Sequence, residues 1–302
     1  MKDLLILGAG PAGLTASIYA IRAGLNASII EKLAPGGQVM NTDEVENYPG
    51  FEDPIKGWEL MSRMEKQSRR LGVDIISGEV TKIEKNNAIF NVSLSDGSVK
   101  EAKAVIIATG ASLKRLGVPG EEKNIGRGVS YCATCDGAFY KDKITAVVGG
   151  GDTALEEALL LRKFAKKIYL IHRRDVFRGA KILQDRVLSS DIIEPLYDSV
   201  VESINGENKV ETLTIKTKDK DSHNLSVDGV FIFVGYEANT KFLEPHFLNS
   251  YGEVKVAMSM ETDVKGLFAV GDCRSDSKRQ IVMACADGAT AVMNAYEYIE
   301  NV

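Results

Sequence analysis

The chain has no basic excess: 37 lysines and arginines face 42 aspartates and glutamates, for a formal net charge of −5. A general nucleic-acid binder carries the opposite balance, so that class is set aside. Long apolar runs are missing too, and nothing approaches the ~18 consecutive apolar residues of a membrane span. The opening "MKDLLILGAG" offers only a short apolar run before Gly8, too short for a secretory leader, so a cytosolic protein is expected. Low-complexity stretches are absent as well. What remains is 302 residues with 44% hydrophobic content, enough for two ordinary domains with buried cores.

Cysteine and histidine are scarce. Four cysteines (Cys132, Cys135, Cys273, Cys285) are no secreted disulfide framework, because a chain of this size needs no such staples. An all-cysteine zinc site would want two close pairs, yet Cys273 and Cys285 stand a dozen residues apart. Histidine adds no ligand beside them, since His172, His223 and His246 lie elsewhere. Of the uses of Cys-x-x-Cys, disulfide exchange therefore leads for "YCATCDG", Tyr131–Gly137, where an acid, Asp136, follows the second thiol.

Glycine is where the chain is rich. "DLLILGAGPAG" reads as a buried strand entering Gly8-x-Gly10-x-x-Gly13. A helix over Leu14–Ala23 follows, stopped by Gly24, and a second strand "NASIIEK" reaches Glu31. Such glycines let a helix N-terminus approach a pyrophosphate, and the terminal acid accepts hydrogen bonds from an unphosphorylated ribose. The pattern recurs in "KITAVVGGGDTALEEALLLRKFAKKIYLIHRR", with Gly149, Gly151 and Ala154 as its turn. Counted from the first glycine, His172 falls where Glu31 falls in the first copy. Arg173 and Arg174 follow it, with Arg178 just beyond. Guanidiniums in place of an acid suit a 2′-phosphate. The first site is expected to take an unphosphorylated dinucleotide and the second NADP.

These units imply an α/β fold of two Rossmann-like dinucleotide-binding domains. A helix near Gly57–Leu71 and alternating strands between Val73 and Leu94 belong to the first. "AVIIATGA" (Ala104–Ala111) and "GLFAVGDC" (Gly266–Cys273) read as two strands of one sheet, and a long helix is expected from about Arg279. The second domain is therefore read as an insertion. Residues 1–113 and 243–302 form the outer, discontinuous domain, and residues 114–242 form the inserted one. "LGVPGEE" and "YEANTKFLEP" are its linkers.

The motifs "GAGPAG", "GGQVMNTDEVENYPGF", "ATGA", "YCATCDG", "GGGDTALEEA", "HRRDVFR" and "AVGDCR…RQ", in this order, resemble the bacterial low-molecular-weight thioredoxin reductases. These belong to the NADPH- and FAD-dependent pyridine nucleotide-disulfide oxidoreductases. The resemblance implies FAD in the outer domain, NADPH and the cysteine pair in the inserted one, a homodimer, and thioredoxin as substrate. The alternative is a flavin-dependent reductase or oxidase of a small dithiol or disulfide. Carried over residue by residue, Gly8, Gly10, Pro11, Ala12, Gly13 and Glu31 meet FAD, with Gly37, Gln38 and Asn47 along the flavin. Ala108, Thr109, Gly110, Gly271, Asp272, Arg279 and Gln280 complete that site. Gly149, Gly151, Asp152, Thr153, His172, Arg173, Arg174 and Arg178 meet NADPH. The resemblance also implies a Cys132–Cys135 disulfide, with Cys135 facing the flavin, Cys132 attacking the partner and Asp136 moving the proton. Dithiol and nicotinamide would each have to reach one flavin, so a rotation of the inserted domain is expected. Two features depart from the pattern. Ala138-Phe139 stands where two aromatics are common, and Gly179 where alanine is usual. Cys273 and Cys285 are expected to be small buried residues.

Overall fold

A computed structural model describes residues 1–42 and 44–302. The chain divides into two compact units, residues 1–112 with 237–302, and residues 113–236. The return into the first unit thus comes before the 242/243 boundary read from the sequence. Ala238 and Leu243 are buried in the first unit's core beside Leu5, Leu7 and Val254, which draws this stretch out of the inserted unit.

In the first unit three parallel strands stand side by side, Asp74–Ser77, Ala27–Glu31 and Lys2–Leu7. Val99–Ile107 joins them next to Lys2–Leu7, and the antiparallel strands Ile89–Leu94 and Val80–Asn86 continue the sheet. Val99–Ile107 is long enough to serve two neighbours along one edge. Its first residues pair with Ile89–Leu94, and Val105–Ile107 pair in parallel with Leu267–Ala269. The two strand motifs read as one sheet do adjoin. Leu4, Ile6, Ile29, Ala104 and Ile106 point to one face and are covered by three helices. Leu5, Leu7, Ile30, Val105 and Ile107 point to the other, as the two-residue period of a strand requires.

The covering helices are built from local signals. Pro11–Arg22 has Pro at its start, where the missing N–H costs nothing, and Gly24 beyond its end at φ +82°. Gly57–Arg70 carries Glu59 in its first turn and Arg69 and Arg70 in its last, matching the helix dipole. Ile281–Glu300 crosses Pro11–Arg22 at small residues. A Cβ on Gly288 would collide with the Ala12 carbonyl oxygen and stand 3.1 Å from the Ala16 nitrogen.

The second unit has an all-parallel sheet in the order Ile193–Leu196, Lys167–Ile171, Ile144–Gly149, Gly229–Phe233 and Val129–Ser130. Beside it lies an antiparallel sheet of Ser199–Asn205, Thr212–Thr217 and His223–Ser226. "VDGVFIFVG" is thus no part of the polar hairpin expected there. Gly229–Phe233 is buried throughout and occupies an interior position of the parallel sheet.

Gly288→Ala gains about 1 kcal/mol of helix propensity, but overpacking against rigid backbone costs roughly 1–3 kcal/mol. Net destabilisation of about 1–2 kcal/mol is expected, read as a lowered urea midpoint.

Candidate active site: two glycine turns and a cysteine pair

Strand pairing places the two glycine turns identically. Leu7 pairs with Ile30, so Gly8 lies opposite Glu31; Val148 pairs with Ile171, so Gly149 lies opposite His172. In the first unit Gly8 adopts φ +110°, and a Cβ there would strike the Ala108 carbonyl. A Cβ on Gly13 would strike the carbonyl oxygen of Gly8 itself. Gly10, by contrast, faces open space at the helix start, and no side chain caps that end. The free N–H groups of the first turn are left for a ligand.

The remaining expected residues gather around this turn. Glu31 accepts from the Ala9 N–H at 2.7 Å and the Leu33 N–H at 2.9 Å, which fixes its carboxylate beside the turn with lone pairs to spare. The Gly36 N–H reaches the Ala9 carbonyl at 2.9 Å, and the Cβ position of Gly37 is 3.5 Å from the Cα of Gly10. Asn47 donates to Gln280 at 3.0 Å. Gly271 lies against Ala12 and Ala284. Asp272 is largely buried, and that burial raises its carboxyl above the usual carboxylate range. Gln38 lies exposed in the short helical turn Gly37–Asn41. Thr109 and Gly110 turn elsewhere: the Thr109 hydroxyl donates to the Asn239 carbonyl at 2.8 Å, and Gly110 accepts the Asn239 N–H at 3.0 Å. Arg279 has φ +53°, and its guanidinium contacts Glu253 at 3.1 Å.

In the second unit Gly151 starts the helix Asp152–Leu161, again uncapped and open. Ala154 fits where the first turn has its third glycine. The Asp152 carboxylate accepts from the Ala180 N–H at 2.6 Å, and the Arg178 N–H donates to the Gly150 carbonyl at 2.7 Å. The arginine segment is thereby folded back over the turn. Arg173, Arg174 and Arg178 are exposed and enter no ion pair with a described residue. Thr153 shares a hydrogen bond of 3.0 Å with Tyr236. His172 is not at the surface with the arginines. It is 5% exposed, and its ring fills the space that a Cβ on Gly150 would need. Burial first, then the arginine charges, hold its imidazole below the usual histidine range.

Cys132 and Cys135 are joined as a disulfide. Ala133–Asp136 form one helical turn with Cys132 as its N-cap, and the Cys132 sulfur accepts the Cys135 N–H at 3.1 Å. Ser130 donates to the Asp136 carboxylate at 2.6 Å and accepts the Cys132 N–H at 3.1 Å. Asp136 is thus tied to the backbone that carries the first sulfur. Cys135 is exposed and Cys132 half-buried.

Residues 2–288 match the pyridine nucleotide-disulphide oxidoreductase family. The chain belongs to this family. It is 45% identical to a thioredoxin reductase of Helicobacter pylori over the full length of both chains, and 41% identical to one of Treponema pallidum over 99% and 98%. The solved thioredoxin reductase of Lactococcus lactis has 39% identity and a TM-score of 0.97, with both chains covered completely. That of T. acidophilum has 32% identity and a TM-score of 0.93, with 98% of each covered. The motif resemblance therefore holds along the whole chain, and the alternative of a small-disulfide enzyme finds no favour among these relatives.

Several members of this oxidoreductase's sites left no local signal. Asp287, on the C-terminal helix, is buried and accepts the Gly271 N–H at 3.0 Å. Arg274 grips the same carboxylate through Nε at 2.7 Å and a terminal nitrogen at 2.9 Å. This fork holds the turn that carries Asp272. Ser130, Glu157, whose carboxylate accepts the Ala133 N–H at 2.7 Å, and Asn239 are likewise supports that no motif announced. Of the two further cysteines, Cys273 is fully buried, which pushes its thiol up to about 11; Cys285 is half-buried, 3.8 Å from the Tyr48 hydroxyl.

Removing one partner of a buried ion pair leaves an uncompensated charge, a loss of roughly 3–5 kcal/mol. Asp287→Ala is expected to lose about that much in urea unfolding. Asp287→Asn, which retains an acceptor for the Gly271 N–H, should lose clearly less.

Proposed function

We propose that the protein is an NADPH-dependent thioredoxin reductase that binds FAD at its first glycine turn and NADPH at its second. The observation carrying this reading is the Cys132–Cys135 disulfide with its Ser130–Asp136 support, in the same unit as a glycine turn rimmed by three arginines. The residues present suit both groups. At the first turn, Glu31 accepts ribose hydroxyls and repels a 2′-phosphate, while open space over Gly10 admits a pyrophosphate. At the second, Arg173, Arg174 and Arg178 offer charge-assisted bonds to a 2′-phosphate. The chemistry supplied by a bound FAD is two-electron transfer from NADPH to a disulfide.

The chain's own part is thiol exchange. In the reduced pair, the thiolate of one cysteine attacks the partner disulfide and forms a mixed disulfide, and one partner sulfur leaves with a proton for which Asp136 is placed. The second cysteine then attacks the first, re-forming Cys132–Cys135 and releasing the partner's other sulfur. The roles expected from the resemblance run against the exposure. A protein partner must reach the attacking sulfur, and Cys135 is the exposed residue. The half-buried Cys132 sulfur, receiving the Cys135 N–H at the start of the helical turn, suits the shielded position. We therefore assign partner attack to Cys135.

A homodimer is supported by an apolar stripe on the helix Ile281–Glu300, where Val282, Met293 and Tyr296 are exposed on the side that also carries Ala286 and Ala289. Free thiols at Cys273 and Cys285 support a reducing compartment, the cytosol. No helix among the described residues is long and apolar enough to cross a membrane.

Each charge-assisted bond contributes about 1.5–3 kcal/mol, so Arg173→Ala with Arg174→Ala is expected to raise KM for NADPH more than tenfold. KM for NADH should barely move; equal losses with both would make the arginines structural. For the cysteines, Cys132→Ser should form a lasting adduct with a thioredoxin that lacks its resolving cysteine, seen on non-reducing gels. Cys135→Ser should form none. An adduct from Cys135→Ser alone restores the opposite roles, and none from either variant removes protein disulfide exchange from the reading.

A further inference from the structure

The chain as a whole is acidic, but two neighbouring segments are not. Residues 139–143 ("FYKDK") and 162–167 ("RKFAKK") hold six basic side chains and one acid, Asp142. They are held together by backbone bonds, from the Asp142 N–H to the Phe164 carbonyl at 3.0 Å and from the Lys166 N–H to the Lys143 carbonyl at 2.8 Å. Phe164 also packs against the cysteine turn, since a Cβ on Gly137 would lie 3.2 Å from its ring. Three residues beyond Asp136 stands Phe139, an aromatic side chain 72% exposed. The Lys143 ammonium donates to the Phe139 carbonyl at 2.9 Å, which places one positive charge at the base of that ring. Lys141, Arg162, Lys163 and Lys166 are exposed as well. The acids near the turn are otherwise engaged: Asp136 accepts from Ser130, and Glu157 from the Ala133 N–H. Lys167, at the far end, is paired with Glu194 at 2.6 Å.

We infer that Phe139 and the basic collar of Lys141, Lys143, Arg162, Lys163 and Lys166 form the docking surface for the disulfide partner. The surface selects a protein whose disulfide is bordered by an apolar depression and acidic side chains. This rests on the thioredoxin-reductase reading and adds to it what the partner's face must look like. One exposed ring supplies the buried anchor that a protein contact needs, while rim charges govern encounter rate and choice of partner. A single aromatic gives less apolar contact than two adjacent ones would. The collar is therefore the feature that must compensate, and its contribution is one that salt can screen.

The test uses the FAD-loaded enzyme with NADPH and two substrates, an oxidised thioredoxin of acidic net charge and the uncharged bis(2-hydroxyethyl) disulfide. Lys141→Glu with Lys166→Glu is expected to raise KM for thioredoxin roughly tenfold at low salt, with the difference shrinking towards the wild type as salt is added. Turnover of the uncharged disulfide should be unchanged, which also shows that the variant is folded and loaded. Phe139→Ala should raise KM for thioredoxin at every salt concentration. A KM for thioredoxin indifferent both to charge reversal and to salt, with turnover intact, overturns the collar. If the wild type reduces the small disulfide but no thioredoxin, the functional reading falls first and the docking surface falls with it.

Discussion

The architecture depends on one steric fact repeated in each unit: main chain passes so close to main chain at the glycine turn that no Cβ fits. At Gly8 and Gly13 the obstacles are the carbonyls of Ala108 and of Gly8. At Gly149 the obstacle is the carbonyl of Phe233, with the Ala154 methyl close by. This closeness brings the helix start down onto the end of the strand. It also aims the uncapped N–H groups of the first turn away from the sheet, where an anion can take them. The sheet cannot be loosened there without losing the site. The small residues at the crossing of Pro11–Arg22 and Ile281–Glu300 extend the same constraint into the helical layer, because Gly271 must lie against Ala12 and Ala284 while Gly288 lies against the Ala12 carbonyl.

Given two copies of one device, their difference is electrostatic and sits at one register position. Opposite Gly8 the chain puts Glu31, whose carboxylate is fastened by the Ala9 and Leu33 N–H groups. Opposite Gly149 it puts His172, buried and uncharged, and passes the surface role to the arginines that follow. A carboxylate beside a phosphate costs energy, and an arginine beside it returns about 1.5–3 kcal/mol per bond. One position thus separates the two nucleotides. His172 has a mechanical part in this. Its ring sits under Gly150, whose carbonyl receives the Arg178 N–H, so the imidazole supports the backbone on which an arginine is hung.

Much of this was legible because it is local. Turn glycines, strand and helix periods, the matching distance from turn to acid or histidine, and the Cys-x-x-Cys spacing all lie within a few dozen residues. What escaped is what depends on a partner far along the chain or on burial. Nothing near Asp287 says that its carboxylate will be gripped by Arg274 beneath Gly271. Nothing near Thr109 says that Asn239 will take it up. The inserted unit ends before 242/243 because Ala238 and Leu243 find apolar neighbours in the first unit, a long-range preference hidden in a polar-looking segment. His172 read as a surface contact because its neighbours in sequence are charged, yet its own side chain points into the protein.

The cysteine turn shows the same division within seven residues. Spacing alone predicts a disulfide, but it cannot rank the two sulfurs, since ranking depends on which one the surrounding backbone covers. Here an extended Cys132 ends the strand side, and its sulfur accepts an N–H from the turn it caps; Cys135, one step into that turn, is left outside. Ser130 then links both functions. Its oxygen receives the Cys132 N–H while its proton goes to Asp136, so the acid is held by the same two-residue step that fixes the covered sulfur. A proton-carrying group held this way keeps its distance to the sulfurs when the rest of the turn adjusts. In thiol exchange that matters more than acidity alone, because the transfer is fast only within hydrogen-bond reach.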